Sequence, residues 1–207
     1  MATLVVGTFL TVDGVMQAPG GPDEDERDGF AHGGWLVPLF DDDMGRIMVE
    51  HTLAADGLLL GRRTYEIFAE HWPRIPDDDP IAAKLNAMPK FVASRTLRSV
   101  EWRNSALLEG DAAEAVAALK RDREGEIQVT GSGDLIQTLL AADLVDEFRL
   151  WVFPVLLGTG RRLFAAGTVP AGLELVASET TGSGVAFHTY RRAGAPRYGS
   201  FRLDPAA

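Results

Sequence analysis

Three short stretches of this 207-residue chain place glycine, arginine or hydroxyl residues just where an apolar run ends. Leu58–Leu60 runs into Gly61-Arg62-Arg63-Thr64, Phe91–Ala93 into Ser94-Arg95-Thr96, and Gln128–Thr130 into Gly131-Ser132-Gly133. Glycine lets a phosphate approach the backbone closely. An arginine fork matches phosphate oxygens two at a time. A helix that starts beyond the strand adds unpaired N–H groups and the positive end of its dipole. Singly, each stretch has a plainer reading: Arg62 and Arg63 also suit a solvated first helical turn, and Gly131–Gly133 a tight strand–helix turn. Three in one chain point to an extended ligand carrying several phosphates.

Other chemistries fit less well. The glycine turn lacks the third glycine of a dinucleotide fingerprint, and no Gly-x4-Gly-Lys-Ser/Thr loop occurs. Without cysteine there is no disulfide framework or thiolate site, and His32, His51, His71 and His188 lack ligand spacing, so no metal is expected. Ser132 and Asp134 have no histidine that can be placed beside them as a triad. A net charge of −10 argues against nucleic acid as a partner. With 46% hydrophobic and 24% charged residues the chain reads as an ordinary globular protein. No apolar run approaches the roughly 20 residues that span a bilayer. The opening MATLVVGTFLTVDG reads as a strand and not as a signal peptide, so a cytoplasmic location is expected.

The elements that must hold these residues alternate. Strands are expected at TLVVGTFLTV, after the turn in DGLLLG, at KFVAS, EIQVT and DEFRLWVFPVLLG, and helices at 41–55, at RRTYEIFAEHW closed by Pro73 and DDDP, at 111–124 and at DLIQTLLAADL. Asp111 is the N-cap candidate of the third helix, with Glu114 completing a capping box and Gly125 ending it. LELVASETTGSGVAFHTYRR reads as two strands joined by TGSG. Residues 17–34, rich in glycine and acids, form a long loop of the kind that covers a site. The fold class is α/β, with a mixed, mainly parallel sheet flanked by helices and ending in an antiparallel hairpin. One domain spans 1–192, and 193–207 reads as a tail.

The order T-V-D-G, G-R-R-T-Y-E, S-R-T, V-T-G-S-G-D-L and D-E-F-R-L-W-V-F-P-V-L-L-G-T-G resembles the dihydrofolate reductase-like superfamily. Within it the chain is most similar to the riboflavin biosynthesis reductase group, over roughly residues 3–192. That resemblance implies NADPH as cofactor and about eight strands. By the same resemblance, Gly61 would open the helix on which Arg62, with Arg63 beside it, faces the 2′-phosphate and Thr64 the pyrophosphate. Ser94, Arg95 and Thr96 would border the 2′-phosphate. Gly131, Ser132 and Gly133 would lie under the pyrophosphate, with Asp134, Leu135 and Ile136 starting the next helix. Thr11, Val12, Asp13 and Met16 would border the nicotinamide.

The acceptor side departs from the relatives. Folate reduction uses a helix carboxylate and a strand threonine; here the plainer reading of Asp43 is one of a helix N-terminal charge cluster, with the substrate-binding acid as its alternative, and Trp151 occupies the strand position. The riboflavin-pathway glutamate before the glycine turn is replaced by Thr130. Trp35 stands behind the covering loop. Trp35, Thr130 and Trp151 are therefore the substrate-side candidates, and neither reaction is simply inherited. The expected activity is NADPH-dependent hydride transfer to a small heterocyclic or carbonyl-type molecule; the alternative is a dinucleotide-binding sensor or scaffold without turnover. Phe148–Leu157, apolar on both faces, and the LGTGRRLF segment after it suggest a homodimer. The competing cover for that patch is the tail, through Tyr198 and Phe201.

Overall fold

The computed structural model describes residues 1–201. Its eight strands are β1 (Thr3–Thr11), β2 (Gly57–Gly61), β3 (Lys90–Ala93), β4 (Ser105–Leu107), β5 (Glu126–Thr130), β6 (Glu147–Phe153), β7 (Leu173–Thr180) and β8 (Ala186–Arg192). They form one sheet in the order β4-β3-β2-β5-β1-β6-β8-β7. The pairs from β4 to β6 are all parallel, and β8 runs antiparallel to both β6 and β7. The helices are α1 (Asp42–Ala54), α2 (Arg62–His71), α3 (Pro80–Ala87), α4 (Ala112–Asp122) and α5 (Gly133–Ala141).

Period-two alternation decides which side of the sheet each residue serves. Leu4, Val6 and Leu10 of β1 pack with Leu135, Ile136 and Leu139 of α5, while Phe9 packs with Trp151, Phe153 and the α1 residues Met44 and Ile47. A third cluster joins Leu58 and Leu60 of β2 to Tyr65 of α2, Leu85 of α3 and Trp102. The carboxyl ends of β1, β2, β3 and β5 consequently open on one edge, which is where ligands bind in such sheets.

Two elements lie where the sequence reading left none. Asp79-Pro80 starts α3 instead of merely closing the preceding helix: the Asp79 carboxylate accepts from Ala82 N at 2.8 Å, and Pro80 sits at the first helical position, where its missing N–H costs nothing. β4 is only three residues long and forms because β3 offers it a parallel edge. At α4 the Asp111 cap is present, accepting from Ala113 N and Glu114 N, but the helix stops at Asp122, ahead of Gly125.

The expectation that Trp151 and Phe153 need a second cover is corrected. Their exposures are 6% and 0%, and Phe9, Trp35, α1 and Phe187 cover them within the chain. Among the described residues the tail does not fold over them, since Tyr198 and Phe201 are open to solvent. Ala193 and Gly194 extend the hairpin edge through bonds to Gly172, and 202–207 lie outside the described residues. The exposed large apolar side chains of Phe148–Leu157 and the segment after it are Leu156 and Phe164, and a further exposed apolar stretch lies on β7, at Leu173, Leu175 and Val176.

Lys90 is the largest fully buried side chain that carries a charge. Its ammonium donates to the carbonyls of Leu85, Met88 and Asn86 at 2.7, 2.9 and 3.2 Å and lies 4.3 Å from the centre of the Trp102 ring. Burial, and then the Arg103 charge, pulls its pKa down to about 8, so at neutral pH it still supplies these donors to the end of α3. Lys90→Met is expected to leave those carbonyls unpaired and cost about 1–3 kcal/mol. Thermal unfolding checks this, at about 2–4 °C in Tm per kcal/mol; an unchanged Tm would mean the carbonyls find other partners.

Candidate cofactor groove

A groove of about 1010 Å³ runs along the carboxyl edge of the strands. It is built around two helix starts that differ from the rest. α1, α3 and α4 are each capped by an aspartate, Asp41, Asp79 and Asp111. α2 and α5, which begin on the groove, have no side-chain cap. Their first N–H groups therefore keep the capacity to bind an anion, reinforced by the helix dipole.

The two starts are locked together. Ser132 Oγ accepts from Gly61 N at 2.9 Å, and Thr64 Oγ1 accepts from Ser132 N at 3.0 Å and lies 3.0 Å from Ser132 Oγ. This holds Ser132 at φ 56°, a left-handed conformation uncommon for serine, directly after Gly131 at φ 58°. A Cβ on Gly131 would stand 3.1 Å from Thr64 Oγ1. Gly131 thus needs both its positive φ and its bare α-carbon.

The cations differ in how free they are. Arg62 pairs with Glu66 one turn along its own helix at 3.1 Å, and Arg63 approaches Asp25 of the covering loop at 3.8 Å. Arg95 lines the groove exposed, without an ion pair or hydrogen bond among the described residues. Carboxylates line the groove too. The guanidinium of Arg27 lowers the pKa of Asp25, Glu66 is held by Arg62, Asp111 caps α4, and Asp134 is held by Arg161 at 2.6 Å. Glu24 alone among them has no cationic partner and caps no helix: its Oε2 accepts from Gly20 N at 2.6 Å, and crowding by the loop raises its pKa against that bond.

Most of the expected cofactor residues come together here: Met16, Gly61–Thr64, Ser94–Thr96 and Gly131–Leu135, along with Thr130. Others do not. Ile136 is fully buried on the face of α5 that packs against the sheet. Thr11 is buried and donates to Asp13 at 2.6 Å, and Val12 points to solvent. Asp13 itself, brought down to about 2 by Thr11 and by the N–H groups of Gly158 and Leu157, ties β1 to the segment after β6.

The acceptor-side expectations need more correction. Asp43 lies away from the groove, accepting from Gly182 N at 3.3 Å in the β7–β8 turn. Trp151 is a core residue, its ring 4.3 Å from that of Phe187. Trp35 is also buried and acts from behind, donating from Nε1 to the Gln17 carbonyl at 2.8 Å. The covering loop does reach the groove, through Gln17, Ala18, Pro19, Glu24, Asp25 and Arg27.

Arg161 and Arg162 line the groove and were not anticipated there. A signal existed: Gly160-Arg161-Arg162 follows β6 much as Gly61-Arg62-Arg63 closes β2. Arg162 is bound into structure, its Nε donating to the Asp13 carbonyl at 2.8 Å.

Residues 2–187 match the family described as the RibD C-terminal domain. The chain belongs to that family. The uncharacterized protein YyaP of Bacillus subtilis (strain 168) is 32% identical over 188 residues, 88% of this chain and 90% of that protein. A crystal structure of a protein assigned to riboflavin biosynthesis, from Shewanella sp. PV-4, is 26% identical with TM-score 0.70, over 93% of this chain and 99% of that one. A Thermotoga maritima diaminohydroxyphosphoribosylaminopyrimidine deaminase/5-amino-6-(5-phosphoribosylamino)uracil reductase shares the fold at 13% identity and TM-score 0.62, over 93% of this chain and 57% of that one. The fold is dihydrofolate reductase-like, a mixed sheet ending in an antiparallel hairpin. No described helix is long and apolar enough to cross a membrane, and no group of three or more metal-ligating side chains gathers among the described residues.

Proposed function

We propose that the chain is an NADPH-dependent reductase passing a hydride to a small heterocyclic or carbonyl-type acceptor of pteridine or pyrimidine character. The observation that carries this reading is the pair of uncapped helix starts, α2 and α5, joined through Thr64 and Ser132 on one groove. The Thermotoga maritima neighbour, whose name includes a uracil reductase, supports the same reaction class. Bound NADPH would supply the hydride. The chain's own work is to bind and orient: α2 and Arg95 at the 2′-phosphate end, the Gly131–Gly133 turn at the phosphate bridge, and Met16 with the loop beyond it at the nicotinamide end. The loop also excludes water, with Gln17 fixed from behind by Trp35. Glu24 is the groove carboxylate left to provide a proton.

The test is titration of the protein with NADPH and NADH, then turnover with pteridine and pyrimidine acceptors. Arg95→Ala is expected to weaken NADPH about tenfold, the lower end for a charge-assisted bond because this guanidinium is exposed, and to leave NADH unchanged. Equal weakening of both would remove the 2′-phosphate assignment. Tight NADPH binding with no acceptor consumed would favour a binding protein without turnover.

A further inference from the structure

We propose that Arg161 is a second cationic arm of the groove, which binds the phosphate bridge of a dinucleotide and is stored on Asp134 when no bridge is present. This rests on the dinucleotide reading above. The backbone of Arg161 is fixed on the nicotinamide side of the groove: Met16 N donates to its carbonyl at 2.8 Å, and its own N–H donates to Gln17 Oε1 at 3.0 Å. Gly160 before it turns at φ 111° with no room for a side chain, since a Cβ would lie 2.7 Å from Phe30 and Val15. The start of α5 lies against the same place, because a Cβ on Gly133 would stand 3.3 Å from Met16 Sδ. Arg161 is thus anchored beside the helix start argued to receive the phosphate bridge.

Its guanidinium reaches across to Asp134 Oδ1 at 2.6 Å, with the two side chains 40% and 75% exposed. An ion pair this open contributes only about 0–1 kcal/mol, so exchanging a carboxylate oxygen for a phosphate oxygen costs little. The pair also answers an electrostatic difficulty. Asp134 sits in the first turn of α5, where a lone carboxylate would compete with a phosphate for the same N–H groups and repel it. Arg161 neutralises that charge and adds a fork suited to phosphate. Arg162 has no such freedom, being held by Asp13 and Gly158.

The experiment measures binding without any acceptor, using NADPH, NADH and 2′-AMP on the full-length protein. Arg161→Ala is expected to weaken both dinucleotides about tenfold and leave 2′-AMP, which has no phosphate bridge, unchanged. Arg161→Lys should recover part of the loss. Arg161→Ala combined with Asp134→Asn should lose less than Arg161→Ala alone, because the repelling carboxylate is gone. Wild-type dinucleotide affinity in Arg161→Ala overturns the proposal, including the case in which turnover falls, since the arginine would then serve an anionic acceptor. Equal weakening of 2′-AMP overturns it as well, by exposing general damage to the groove. If the unaltered protein binds neither NADPH nor NADH, the dinucleotide reading itself fails and this inference goes with it.

Discussion

Gly131→Val is expected to give a folded protein that no longer binds NADPH. Two effects act at this position. Valine at φ 58° is strained by about 1–3 kcal/mol, because its branched Cβ crowds the backbone in the left-handed region. That Cβ would also press on Thr64, 3.1 Å from Oγ1 and 3.3 Å from Cγ2. Relief requires Thr64 or the turn to move, and either movement breaks the bond from Ser132 N that sets the two helix starts at their spacing. The added methyl groups would also stand where a phosphate must approach. The damage should stay local, since Gly131 belongs to none of the three core clusters. Circular dichroism should match that of the unaltered protein while NADPH binding falls by more than about 100-fold, the cost of losing two or more charge-assisted bonds. A folded variant with unchanged affinity would place the phosphate site elsewhere.

Which strand-end residues gather on the groove was legible in the sequence, and where Trp151 and Asp43 lie was not, for a physical reason. Gly61, Arg62, Thr64 and the Gly131–Gly133 turn owe their places on the groove to strand ends, and a strand end is a local feature marked by composition. The same local logic found Asp111 as a cap and β6 as a strand. Asp79 carries the same cap signal as Asp111, yet it sits in an acidic run after Pro73 that looked like a terminator, so α3 was missed. Trp151 and Asp43 failed differently. Their surroundings are set by residues far away in the chain, Phe187 for Trp151 and Gly182 for Asp43, and a register one residue off sends a strand side chain to the opposite face. β4 has too few residues to show any period, and it exists only because β3 is beside it.

Glu24→Gln is expected to lower kcat by about 100-fold, the low end of what a positioned acid contributes, with little change in NADPH affinity. Every other groove carboxylate is committed: Asp25 to Arg27 and Arg63, Glu66 to Arg62, Asp111 to the α4 cap, Asp134 to Arg161. Glu24 is exposed to solvent, yet the loop atoms packed against its carboxylate remove part of its water and raise it above its ordinary 4.5, while Gly20 and Gly21 N–H groups oppose the rise. The protonated form is the one that can give a proton to a reduced acceptor. Turnover should accordingly be highest below the raised pKa and fall as pH rises through it, at a higher pH than an unperturbed glutamate would give. Glutamine is a fair replacement because its amide oxygen can still accept from Gly20 N, so the loop keeps its shape. The variant should lose this limb of the pH–rate profile together with the rate. Wild-type kcat in Glu24→Gln, or the same pH limb persisting in it, would assign the proton to another donor, such as water admitted along the groove. Lost NADPH affinity without lost kcat would make Glu24 a brace of the covering loop instead of an acid.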